Sequence, residues 1–212
     1  GENWGVKDAY QDRFGNYALQ DRLQAQQGSG YEFKHFEPKS DTLSEIKKAK
    51  EESMNAIAST KPPLTYVFDG HGSKDSFFFS DGQLVDELTR QPVVETEKTI
   101  KVTYEEFAEI LLKRRANFGD KALAKDIFIF SQCYNHNFVR KVNEILKSKG
   151  STCPIMIGES EYNVSSLSDT ESKYENYFYD DVLKLDQPST TFGDLFNSAT
   201  QDFNNFADSN FT

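Results

Sequence analysis

Two short apolar runs constrain this chain more than anything else in it. Leu64-Thr-Tyr-Val-Phe68 leads into Asp-Gly-His71-Gly72, and Ile127-Phe-Ile-Phe130 leads into Ser-Gln-Cys133-Tyr134. A run of four or five apolar residues without polar alternation fits a strand covered on both faces, as in a parallel sheet. Each run stops on a side chain that can do chemistry, an imidazole in one and a thiol in the other. Parallel strands of one sheet bring their C-terminal ends to the same edge, where α/β folds place their sites. His71 and Cys133, 62 positions apart in the chain, are therefore expected at one edge.

The segments around these runs alternate in type. Apolar residues recur at helical spacing from Asp8 to Gln27, and Gly28-Ser-Gly30 stops that helix. Tyr31 to Phe36 alternates like a half-buried strand. Ser40-Asp-Thr-Leu-Ser-Glu45 supplies capping residues for a helix to about Ser59, and Lys61-Pro-Pro63 ends it. The stretch from His71 to Gly82 reads as a strand or hairpin, and Val102 to Leu112 as a capped amphipathic helix. Asn137 to Lys147 is a helix stopped by Gly150, followed by a strand from Pro154 to Ile157. A polar loop from Gly158 to Lys173, an aromatic and acidic alternation from Tyr174 to Leu185 and a closing helix from Thr191 to Phe206 complete the chain. Helix and strand in turn is the rhythm of a parallel α/β sheet, here expected as a three-layer αβα sandwich.

Composition narrows the function classes. At 212 residues, with no linker-like stretch, the chain is expected to form a single domain over residues 1–212. Its 18 Phe give that domain a core of large side chains. A net charge of -10 and the lack of a basic block argue against nucleic acid as a partner. No run approaches the ~20 apolar residues of a membrane span. The sequence as given holds no signal peptide, and its abrupt start is equally compatible with a leader cut away upstream, so location stays open. Two cysteines, Cys133 and Cys153, exclude a disulfide framework. Cys153 opens an apolar stretch and reads as a buried structural thiol.

An apolar strand ending in His71-Gly72, followed by a second ending in Cys133, resembles the caspase and legumain superfamily of cysteine peptidases (clan CD), especially bacterial legumain-like and caspase-like domains. The resemblance covers roughly residues 8 to 160. It implies the caspase-hemoglobinase-like fold and hydrolysis of a peptide or protein substrate through a Cys-His dyad, with no cofactor and no resident metal. Carried over residue by residue, Cys133 is the nucleophile and His71 the general acid/base. The N–H groups of Gly72 and Cys133 form the oxyanion hole, and Ser131, Glu159, Ser160 and Glu161 line the pocket for the residue before the cleaved bond. A carboxylate among them favours cleavage after a basic residue, and Ser131 alone favours Asn.

Departures from the family pattern are specific. Gln132 stands before the cysteine where the family has a small residue, and Tyr134-Asn-His136 follows it where Ser-Gly is frequent. The family's sheet normally begins with a strand before the first helix, and Gly1-Glu-Asn-Trp-Gly5 offers no apolar run for one; the boundary of the sequence, a cleavage event such as autoprocessing, or another segment supplying the strand would each account for this. His136 is expected to face solvent and His35 to be structural. Asp180-Asp181 is a pair that calcium-activated relatives could use, although surface carboxylates usually hold nothing.

Two further readings stand beside the peptidase. A caspase-like domain without activity would serve as a binding or regulatory module. Val67-Phe-Asp-Gly-His-Gly72 is also similar to the Asp-Gly-His-Gly signature of metal-dependent protein phosphatases, in which that Asp and a Gly carbonyl bind a divalent cation. Those enzymes need a second-metal motif downstream; Phe79-Ser-Asp-Gly82 comes too soon for it, and Asp194 falls in an expected helix.

Overall fold

The computed structural model describes Glu32 and residues 34–68, 71–80, 84–86, 88–92, 100–130 and 132–158, together with Asn197 and Gln201. All the elements below belong to one compact unit, residues 36–166. In chain order they are α1 (Leu43–Ser59), β1 (Thr65–Phe68), β2 (Ser76–Phe78), β3 (Lys101–Thr103), α2 (Tyr104–Phe118), α3 (Asp120–Leu123), β4 (Ile127–Phe130), α4 (Asn135–Ser148) and β5 (Ile155–Gly158). The class is α/β. Strands β1, β4 and β5 form a parallel sheet with β4 in the centre, while β2 and β3 form a separate antiparallel pair.

Register explains the two faces of the sheet. Tyr66 lies beside Phe128, Phe68 beside Phe130, and Phe130 beside Gly158. Successive side chains on a strand alternate between faces, so Phe68, Phe128 and Phe130 project together. They join Phe107 of α2, Phe138 of α4 and Met54 and Ile57 of α1 in one core cluster. Phe77 of β2 is fully buried in that cluster, with its ring centroid 4.2 Å from Phe68 and 5.5 Å from Phe138. Val67, Ile129 and Ile157 take the other face; Ile129 and Ile157 are buried, while their neighbour Ile155 is 39% exposed.

The opposite, N-terminal ends of β1 and β4 are locked by a charge pair that the sequence did not announce. Arg114 of α2, wholly buried, reaches Asp126 with Nε at 2.5 Å and Nη2 at 2.8 Å. Its Nη1 donates to the carbonyls of Ile57 and Thr60, at 2.8 and 2.6 Å. Asp126 also accepts the Leu64 N–H at 2.8 Å. A buried ion pair is tolerated only when the remaining donors and acceptors are filled in this way. The last turn of α1, the start of β1 and the start of β4 thereby share one anchor.

Several elements differ from the sequence reading. The described part of the alternating segment, Glu32 and residues 34–36, has no regular structure, and His35 is exposed on it. Thr42 precedes α1 in extended conformation, yet its hydroxyl meets Ser40 Oγ and Ser44 Oγ and caps no helix N–H. Thr103 does cap α2, accepting from Glu106 N at 3.2 Å, and the three residues before that helix form β3. Asn197 and Gln201 are helical, inside the helix expected over 191–206. The segments expected over 8–27 and 174–185, and Asp180-Asp181, lie outside the described residues. No described helix is long and apolar enough to cross a membrane.

Candidate active site

His71 follows β1 and Cys133 follows β4, and these strands are hydrogen-bonded parallel neighbours. Both residues therefore leave the sheet at its C-terminal edge. His71 is exposed and Cys133 partly buried. Between Phe130 and α4 there are only four residues, which puts Cys133 just before the N-terminus of a 14-residue helix.

The segments carrying the two residues touch. A Cβ built on Gly72 would stand 2.3 Å from Gln132 Cγ and 2.7 Å from Gln132 Cβ, distances that no real side chain tolerates. Only glycine lets the backbone next to His71 press against the residue next to Cys133. Gln132 is accommodated here because its side chain uses the space that the missing Cβ leaves.

A tight return fixes the backbone around His71. The His71 carbonyl accepts from Phe78 N at 2.9 Å, and Ser73 N donates to the Ser76 carbonyl at 2.7 Å. In a trans peptide the C=O and the following N–H point in opposite directions. Bonding the His71 carbonyl to β2 therefore aims the Gly72 N–H away from β2, and it donates to no acceptor among the described residues. An oriented, unspent N–H is what an oxyanion hole requires.

Helix α4 holds the loop after His71 from the Cys133 side. Asn137 Nδ2 donates to the Lys74 carbonyl at 2.7 Å, and Lys141 pairs with Asp75. That hydrogen-bonded carboxylate raises the Lys141 pKa above its ordinary value, although both groups are open to solvent and the pair adds little stability. Tyr104 N, at the start of α2, donates to the Asp75 carbonyl at 3.0 Å.

Asn135 organises the turn that presents Cys133. Fully buried, it donates from Nδ2 to the carbonyls of Phe130 and Gln132, each at 2.8 Å. Its Oδ1 would lie 2.1 Å from a Cβ on Gly158, so the end of β5 must also be glycine. Tyr134, between them, takes left-handed φ 57 and ψ 22. Residue-by-residue reading missed Asn135; the available signal was an Asn directly ahead of an apolar helical pattern, which suggests a cap on the helix and not a clasp reaching back to the strand.

Gln132 is the unusual group. It is fully buried, and neither Oε1 nor Nε2 has a hydrogen-bond partner. A buried unsatisfied polar group costs about 1–3 kcal/mol.

Of the other expected site residues, Ser131, Glu159, Ser160 and Glu161 lie outside the described residues. Glu159 follows Gly158 directly, and Gly158 is paired with Phe130. His136 is exposed on α4, as expected, and Cys153 is partly buried with its sulfur 3.9 Å from the Asn143 carbonyl. No cluster of three metal-ligating side chains occurs among the described residues. A shallow groove lined by Lys50, Met54, Glu106, Ile110 and Lys113 lies along α1 and α2 and includes none of the strand-end residues. No match to this chain was found among family models, curated proteins or solved structures.

Proposed function

We propose that this protein is a cysteine endopeptidase of the caspase and legumain type, with Cys133 as nucleophile and His71 as general acid/base. The observation that carries the reading is the contact of Gly72 with Gln132 across adjacent parallel strands, which puts the residues next to His71 and Cys133 against each other. In the reaction, the Cys133 thiol passes its proton to His71 as the sulfur attacks the scissile carbonyl carbon, and the Gly72 N–H stabilises the oxyanion. His71 gives a proton to the leaving amine, the C–N bond breaks and a thioester remains. Water, losing its proton to His71, then attacks the thioester, releasing the acid and restoring the thiol.

The same reading takes the sheet as the middle layer of a three-layer sandwich, with a second helical layer over the face of Val67, Ile129 and Ile157. Those side chains form an apolar face separate from the α1, α2 and α4 core, and Ile129 and Ile157 are already buried on it. For specificity we propose a basic residue before the cleaved bond, supported by Glu159 and Glu161 directly after β5 in the chain. A charge-assisted hydrogen bond of about 1.5–3 kcal/mol would favour Arg or Lys roughly tenfold to a hundredfold.

Fluorogenic peptides with Arg, Lys, Asn or Asp before the reporter test this function. Turnover is expected with Arg and Lys, and it should vanish in Cys133→Ala. A preference for Asp would refute the proposed pocket. Hydrolysis of a phosphoester that stops on chelation and is indifferent to Cys133→Ala would establish the phosphatase alternative. An absence of turnover on every peptide would favour a silent binding domain.

A further inference from the structure

Gln132 carries chemistry that the fold does not use. Its side-chain carbons fill the space against Gly72, a task that any unbranched apolar side chain of the same length performs equally well. Its carboxamide, by contrast, is fully buried with both polar atoms unpartnered, which lowers the stability of this state. A buried amide kept without partners beside a reactive residue is the kind of stored cost found at functional sites. Its neighbours on either side are the two segments that must move least during acyl transfer: Gly72, whose N–H is unspent, and Cys133.

Resting on the peptidase reading, we propose that Gln132 is a positioning residue: its carboxamide hydrogen-bonds the backbone of the His71–Ser73 turn when substrate occupies the site, holding the Gly72 N–H on the oxyanion. In the resting protein the side chain only wedges the turn. As the carbonyl oxygen of the substrate becomes an oxyanion, the Gly72 peptide is drawn toward it, and the amide beneath supplies the bond that keeps it there.

The test separates the amide from the wedge. Gln132→Met keeps the length of the side chain and removes the amide; Gln132→Leu is a second apolar variant. Melting temperature, kcat and KM on the cleaved peptide, and the rate of Cys133 alkylation by a peptidyl chloromethyl ketone are measured in each. The chloromethyl ketone reports on the site even without peptide turnover, because its carbonyl also needs the oxyanion donors. We expect a melting temperature equal to or above that of the parent. We also expect kcat lower by about tenfold or more with KM within about twofold, and chloromethyl ketone alkylation slowed to match. Unchanged kcat and alkylation at a raised melting temperature would overturn the proposal and leave Gln132 as packing alone. A lowered melting temperature in both variants would overturn it too, since the amide would then be stabilising the resting fold. If the parent cleaves no peptide, the peptidase reading fails, and the alkylation rates still decide whether the amide acts at Cys133.

Discussion

Gly72 and Asn135 do at the residue scale what the strands cannot do alone. Gly72→Ala places a methyl where Gln132 Cγ and Cβ already are, so the two strand ends must separate. The expected result is destabilisation of roughly 1–3 kcal/mol, as for other overpacked sites, together with a large loss of any Cys133-dependent activity. Thermal denaturation beside peptide turnover checks both, and an unperturbed variant would show that the contact is not required. Asn135→Ala removes the donor to two buried carbonyls, of Phe130 and Gln132. A loss of about 2–3 kcal/mol is expected from denaturant unfolding, because carbonyls left unpaired inside the protein bear their full desolvation cost. That His71, Gly72 and Cys133 follow two strands of one parallel sheet was legible in the sequence, because each comes just after an apolar run. Asn135 and the buried state of Gln132 were not, since both depend on which atoms a turn brings together across a fold, and no local pattern encodes that.

At the scale of elements, strands β1, β2, β4 and β5 and the helices α1, α2 and α4 were readable from periodicity and from Gly and Pro stops, whereas β3 fell where a helix was expected to begin. Glu32 and residues 34–36, expected in a strand, have no regular structure, because an alternating pattern records only a preference and needs a neighbouring strand to become a ladder. The Arg114–Asp126 lock was hidden for a related reason: a single Arg on a helix looks like a solvated charge until tertiary packing encloses it. Asp126→Asn keeps the shape but leaves the Arg114 guanidinium buried against a neutral amide. Breaking a buried pair in this way costs about 3–5 kcal/mol, and the midpoint of urea unfolding should fall accordingly. The double variant Arg114→Met with Asp126→Leu should recover only the part of that loss due to the unpaired charge, because it still leaves the Ile57 and Thr60 carbonyls and the Leu64 N–H without their partners.

Tyr66 gives the sheet a signature in alkali. Although part of the residue remains accessible, its hydroxyl meets the buried Ser53 Oγ at 3.0 Å. Burial pushes its pKa up to about 12, with the Ser53 hydrogen bond acting the other way. The folded state thus resists an ionisation that the unfolded chain undergoes near its ordinary value of 10.0. Stability from this group is complete below that value and is lost as the pH rises through the folded one. Tyr66→Phe should flatten the fall in stability between about pH 10 and 12, read from urea midpoints across that range. An identical fall in both proteins would assign the alkaline loss to other groups.

For the whole molecule, the fold sets up a division of labour between the two edges of the parallel sheet. The N-terminal edge is pinned by a buried ion pair, while the C-terminal edge carries a glycine contact, an unsatisfied amide, an imidazole and a thiol. In the proposed peptidase, His71 and Cys133 act on each other at that edge. Iodoacetamide labelling of the native protein near neutral pH, read by mass spectrometry at each cysteine, tests it most directly in the parent and in His71→Ala. Cys133 should react well before Cys153, and His71→Ala should slow Cys133 by about tenfold or more while leaving Cys153 unchanged. Equal labelling of the two cysteines, or a Cys133 rate indifferent to His71, would contradict it.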